Sequence, residues 1–96
     1  MERSDRELAR ASGNGDREAF RELVERYQRK IVSVAMGMVH NADDALEIAQ
    51  ETFVKAYENL STFKGESSFY SWLYRIAFNL AIDFQRREQR RPTVPL

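Results

Sequence analysis

The sequence predicts an all-α fold: a compact bundle of about four helices, with a loop before the last one. Three observations predict it. Only four glycines and two prolines interrupt 96 residues. Apolar residues recur at three- and four-residue steps over long stretches, and the strict alternation of half-buried strands is absent. Hydrophobic residues at 43% and charged residues at 31% suit one folded domain with a modest core.

Each element has its own signals. Ser4-Asp5-Arg6-Glu7 has the form of a capping box, a hydroxyl followed three residues later by a carboxylate. It opens a short helix that Gly13-Asn14-Gly15 closes, because these residues tolerate the left-handed conformation. Asp16 caps a second helix in which Phe20, Leu23, Val24, Tyr27, Ile31, Val34, Ala35 and Met38 form one apolar stripe. Gly37 within it predicts close packing or fraying near the helix end. His40-Asn41 is the next junction, with Asn41 as cap. Ala42, Ala45, Leu46, Ala49, Phe53, Ala56, Tyr57 and Leu60 make the expected core stripe of the third helix, leaving Ile48 and Thr52 outside it. Ser61 to Ser67 lacks a helical period and reads as a loop with little apolar surface for the core. Ser67 or Ser68 then caps a fourth helix with Phe69, Leu73, Ile76, Leu80 and Phe84 inward, extending toward Arg91. Residues 1–91 are thus expected to form one helical domain. Pro92-Thr93-Val94-Pro95 places the start of a linker at 92–96.

Composition excludes several function classes. Zero cysteines remove disulfides, thiolate nucleophiles and cysteine-held metals, and one histidine argues against a histidine metal site or a hydrolytic triad. No apolar run approaches the about 18 residues of a membrane span, and MERSDRELAR has no secretory core. Asp43-Asp44-Ala45-Leu46-Glu47 superficially resembles the run with which prenyl synthases hold magnesium. That chemistry needs a second carboxylate cluster and a deep cavity, for which this chain is too short. No metal, no cofactor and no enzymatic activity are expected.

Net charge is zero, but its distribution is uneven. Between Asn41 and Leu60, Asp43, Asp44, Glu47, Glu51 and Glu58 face only Lys55, a local balance of −4. Between Arg86 and Arg91, four arginines (Arg86, Arg87, Arg90, Arg91) face only Glu88, a balance of +3. Asp44, Glu47 and Glu51 share one helical face, beside Ile48, which an amphipathic reading leaves exposed. Such a face is either simply solvated or a protein contact. Seven of the eleven aromatics lie between Phe63 and Phe84. Tyr70, Tyr74 and Phe78 step by four along one face, while Trp72, Arg75, Asn79 and Arg86 share another stripe. Rings that stack unpaired bases, cations that meet phosphate and an amide that reads a base edge suit single-stranded nucleic acid. An aromatic face packed against a protein partner has the same composition, so both alternatives stand on the residues alone.

Two stretches together resemble a known family. Asp44-Ala45-Leu46-Glu47-Ile48-Ala49-Gln50-Glu51-Thr52-Phe53 is similar to the DAxDxxQExF signature of bacterial RNA polymerase sigma factors. Phe63-Lys64-Gly65 and Phe69-Tyr70-Ser71-Trp72-Leu73-Tyr74-Arg75-Ile76-Ala77-Phe78-Asn79 resemble the FxG…FxxWLxRIAxN run that follows it. The resemblance covers roughly Asp16 to Arg91 and is closest to the small extracytoplasmic-function (group IV) factors. It implies a non-enzymatic, cytoplasmic promoter-recognition domain. Asp44, Glu47, Ile48, Gln50 and Glu51 would meet the β′ clamp coiled coil of core RNA polymerase. Phe63, Lys64 and Ser67 would line a pocket for an unpaired base of the non-template strand of the promoter −10 element. Phe69, Tyr70, Trp72, Arg75 and Asn79 would act where the strands separate, and Arg86, Arg87, Arg90 and Arg91 would face duplex phosphates. An anti-sigma protein is the further implied partner, able to hold the factor at the membrane without membrane insertion. Primary sigma factors carry two adjacent tryptophans at the melting wedge. Here the pair is Trp72-Leu73, which implies melting confined to strict promoter sequences.

Overall fold

The structure, a computed structural model, describes residues 2–90. Four helices follow in the expected order: α1 (Asp5–Gly13), α2 (Arg17–Val39), α3 (Ala42–Glu58) and α4 (Phe69–Gln89). A 3-10 turn at Leu60–Thr62 opens the loop between the last two. Arg91 and the expected linker at 92–96 lie outside the described residues.

The helix starts are fixed by side-chain acceptors, which satisfy N–H groups that have no partner within the helix. Ser4 Oγ accepts from the Glu7 N–H while the Ser4 N–H donates back to Glu7, both at 3.1 Å. That backbone donor holds the Glu7 carboxyl below the usual range. Asp16, Asn41 and Ser68 each accept from the backbone N–H three residues on, at 3.1, 3.1 and 3.0 Å. Of the two serines offered by the sequence, Ser68 is the cap. Asn14 ends α1 with an ordinary φ of −93°, and the left-handed residue is Gly15 at +98°. Gly37 is exposed, with nothing within 4 Å of an added Cβ. Of the two alternatives expected for it, close packing is excluded.

Helix α2 is the axis of the molecule, packing against α1, α3 and α4 in turn. Leu8 from α1, Leu23 and Ile31 from α2, Phe53 from α3, and Phe69 and Leu73 from α4 form the main core. A second cluster near the other end joins Ala35, Ala45, Ile48, Leu80 and Ala81. Polar contacts complete the joints. Arg26 bridges Asp5 and Glu22, both at 2.8 Å, and donates to the Arg3 carbonyl at 2.6 Å. Tyr27 donates its hydroxyl to Asp5. Gln85 of α4 donates to the Met38 carbonyl at 2.7 Å, satisfying an acceptor that the end of α2 leaves open.

The buried face of α3 differs from the one its pattern predicts. Ile48 is 3% exposed and Thr52 fully buried, while Leu46 and Tyr57 are 48% and 43% exposed. The cause is that α3 is covered on two sides, by α2 and by α4. Alanines at 45, 49 and 56 let it settle between them, and Ile48 fills the space toward Ala35, Leu80 and Ala81. Thr52 needs no external partner, because its hydroxyl donates to the Ile48 carbonyl one turn back at 2.7 Å. In α4 the inward positions are Phe69, Leu73, Ala77, Leu80 and Ala81, with Ile76 and Phe84 half-buried at the edges.

Candidate functional site

The expected site residues fall on three surfaces. The first is the outer face of α3. Glu47, Gln50 and Glu51 are exposed there and Asp44 is half-buried beside them. Neither Glu47 nor Glu51 has an ion-pair partner among the described residues. Ile48 does not belong to this face, since it is a core residue. The apolar members are Leu46 and Val54, the latter 55% exposed. Together with Gln50 they step by four along one line, flanked by the carboxylates. Sequence reasoning missed both: Leu46 was assigned to the core, and Val54 carries no signal distinguishing it from a core valine.

The second surface lies between the end of α3, the 3-10 turn and α4. A groove of about 300 Å³ is lined by Trp72, Ile76, Asn79, Lys55, Asn59, Thr62 and Asp83, among others. Trp72 and Asn79 therefore do come together, one turn of α4 apart from their shared neighbour Ile76. Lys55, Asn59, Thr62 and Asp83 join them as residues the sequence did not single out. The turn at Leu60–Thr62 follows α3, and the groove it lines lies between the last turn of α3 and α4. Trp72 is half-buried because it packs with its own neighbours. Phe63, Phe69 and Trp72 form a three-ring cluster with centroids 5.2 to 5.7 Å apart. Phe63 thus ties the loop to the core, whereas the sequence assigned the loop little packing role. Lys64 remains exposed, and Ser67 is half-buried with its hydroxyl on the Ser68 carbonyl at 3.2 Å.

Arg75 and Tyr70 are turned elsewhere. They share a cavity of about 380 Å³ with Ser71, Tyr74 and Phe78. Tyr70 stacks on Tyr27 of α2 with ring centroids 5.4 Å apart, and Lys30 lies over both rings at 5.4 and 5.9 Å. Tyr74 and Phe78 continue the row, 41% and 40% exposed. The proposed stripe of Trp72, Arg75 and Asn79 is therefore divided between two neighbouring concavities. The third surface is the basic end of α4, where Arg86, Arg87 and Arg90 are all exposed and Arg90 is the C-cap. Cations at a helix C-terminus are favoured by its exposed carbonyls, which suits this cluster to the end of α4. Arg91 lies outside the described residues.

With this geometry in view, likeness to known proteins is informative. The model of the family described as Sigma-70 region 2 matches residues 23–91. The RNA polymerase sigma-H factor of Pseudomonas aeruginosa is 46% identical over 88 residues, covering 92% of this chain and 46% of that protein. The ECF RNA polymerase sigma-E factor of Haemophilus influenzae is 42% identical over 89 residues, covering 93% of this chain and 47% of that protein. The chain thus spans about half the length of the curated relatives it matches. Among solved structures, an engineered region 2 of sigmaE in complex with GTAAAA superposes with a TM-score of 0.87 at 36% identity, covering 98% of this chain and all of that one. CnrH in complex with the cytosolic domain of CnrY gives 0.76 at 33% identity, over 82% of this chain and 51% of that one. No helix among the described residues is long and apolar enough to cross a membrane. The two signatures, the four-helix bundle built on α2 and these likenesses agree, and the chain belongs to the Sigma-70 region 2 family.

Proposed function

We propose that this chain is the promoter-recognition domain of an extracytoplasmic-function sigma factor, without enzymatic activity and without cofactor. It binds core RNA polymerase through the outer face of α3 and recognises and melts the −10 element with α4 and the loop before it. The observation that carries this is the likeness to a region 2 solved with GTAAAA, which extends over 98% of the chain and includes the groove of Trp72 and Asn79. In that groove Trp72 supplies a ring face and Asn79 an amide able to pair with a base edge, while Lys55 supplies a cation. Phe63, Lys64 and Ser67 carry the unpaired non-template base, with Phe63 held in place by Phe69. Arg75 acts from the adjoining cavity, and Arg86, Arg87, Arg90 and Arg91 meet phosphates upstream. On α3, Asp44, Glu47, Gln50 and Glu51 surround the Leu46–Val54 ridge, an apolar centre with a charged rim suited to the β′ clamp coiled coil.

Selection from a −10 library with the wild-type chain and with Asn79→Ala tests the DNA function. Asn79→Ala is expected to weaken binding by ~1–3 kcal/mol and relax preference at one position, with an unchanged thermal melt. A wild type that retains no sequence preference refutes the proposal. For the polymerase face, Glu51→Lys is expected to lower affinity for core polymerase about tenfold while helicity is kept. Unchanged affinity in a core-binding assay removes this face from the proposal.

A second function is favoured by one observation. The row of Tyr70, Tyr74 and Phe78 keeps its rings exposed and lies beyond the Trp72 groove, and CnrH was solved with the cytosolic domain of a second protein. An anti-sigma protein docking on this row would hold the factor inactive. Tyr74→Ser with Phe78→Ser is expected to weaken that partner far more than it weakens −10 binding, where these rings only border the Arg75 cavity.

A further inference from the structure

A cleft between α1 and the loop adjoins the second surface and shares Phe63 and Lys64 with it, while its other wall, α1, belongs to none of the three. Its volume is about 420 Å³, and Arg6, Arg10 and Lys64 stand around it with Phe63, Gly65 and Asn14. Among the described residues no carboxylate lines it. Among the described residues none of these three cations has an ion-pair partner. Arg6 donates through Nη2 to the Gly65 carbonyl at 3.0 Å, a neutral acceptor that leaves its charge uncompensated. Gly65 has a φ of +75°, and a Cβ there would come within 3.0 Å of the same guanidinium. Glycine therefore permits both the turn and the close approach of the arginine. Arg10 sits in the last turn of α1, where the helix carbonyls favour a cation at the mouth of the cleft. Phe63 links this cleft to the DNA groove, since its ring also touches Trp72 with centroids 5.2 Å apart.

We propose that the cleft holds the sugar-phosphate backbone of a single DNA strand as it leaves the Trp72–Asn79 groove, with Arg6 and Arg10 as phosphate contacts beside Lys64. Helix α1 precedes the segment 23–91 that the family model matches, so this contact adds a DNA-binding element to the domain. The inference rests on the DNA-binding function proposed above. Three cations without carboxylates match a polyanion. Continuity with a groove of ring, amide and hydroxyl favours a nucleic acid strand over an acidic peptide. Arg6 has a second role as a positioning residue, since its bond to Gly65 fixes the loop that carries Phe63 and Lys64.

The test uses single strands with a randomised hexamer between constant thymine arms, selected on the wild-type chain at low salt. Affinity of the selected strand is then measured across a salt series for wild type, Arg10→Ala and Arg6→Ala/Arg10→Ala. Each single-strand phosphate contact contributes ~0.7 to the slope of log K against log salt. The slope is expected to flatten by that amount in Arg10→Ala and by about twice that in the double variant. Affinity of the double variant for the armed strand should fall about tenfold, a difference that vanishes when the arms are removed. Equal affinity and slope in wild type and variants overturn the inference while leaving the −10 groove intact. An equal loss with and without arms places these arginines off the exit path and overturns it as well. Failure of the wild type to retain any strand overturns the DNA-binding function itself. Should the double variant melt early by circular dichroism, Arg10→Ala alone carries the measurement, because among the described residues its side chain makes no hydrogen bond or ion pair, unlike Arg6 with its bond to Gly65.

Discussion

Ile48→Ala and Leu46→Ala should have opposite consequences although the residues are neighbours on one helix. Ile48 is enclosed by Ala35, Leu80 and Ala81, so truncation leaves a cavity and is expected to cost ~2–4 kcal/mol in a denaturant melt. Leu46 is half in solvent, and its truncation is expected to stay within about 0.5 kcal/mol. Leu46→Ala should instead weaken binding to core polymerase, which Ile48→Ala affects only through stability. The pattern of apolar spacing reversed these two residues, because periodicity shows that a helix has an inner arc but not how wide that arc is. Trp72 and Asn79 were legible as a pair from their spacing. Lys55, Asn59 and Asp83, which share their groove, were not, since they reach it from a different element or carry no distinguishing neighbour.

Helix α4 combines three tasks along its length: its N-terminal rings pack the loop, its middle lines the groove, and its last turn carries arginines. The last of these is testable by charge removal. Arg86→Ala/Arg87→Ala should weaken all duplex sequences alike and flatten the salt slope by up to ~1.8, at about 0.9 per phosphate. A loss confined to one promoter sequence would make these residues base readers. The loop shows the limit of local signals at the same scale. Its hydroxyls and glycine mark it as irregular, and it is so. Its anchoring by Phe63 depends on Phe69 and Trp72 being six and nine residues away on a helix that folds back over it.

Across the whole molecule, α1 and α2 are joined by Asp5, Arg26 and Tyr27, and Tyr27 continues into the stacked rings of α4. Burial, reinforced by the bond to Asp5, pushes the Tyr27 hydroxyl from 10.0 up to about 12. The neutral phenol is the form the fold favours. Its contribution to stability is therefore complete below pH 10 and lost as pH rises through about 12. Tyr27→Phe should be less stable than wild type at neutral pH, and the gap should narrow across that alkaline window in denaturant melts. A gap independent of pH would mean that the hydroxyl titrates as it does in the unfolded chain. By itself the sequence determined the helix order, the N-caps of the first three helices, the acidic and basic segments and the family signatures, because these depend on neighbours within four residues or on residue identity. Only the tertiary structure decided which flank of α3 is buried, which side of α4 each aromatic serves, and that α1 meets the loop. Those outcomes depend on how α2 and α4 together cover α3 and on the volumes that meet there, which no local spacing encodes.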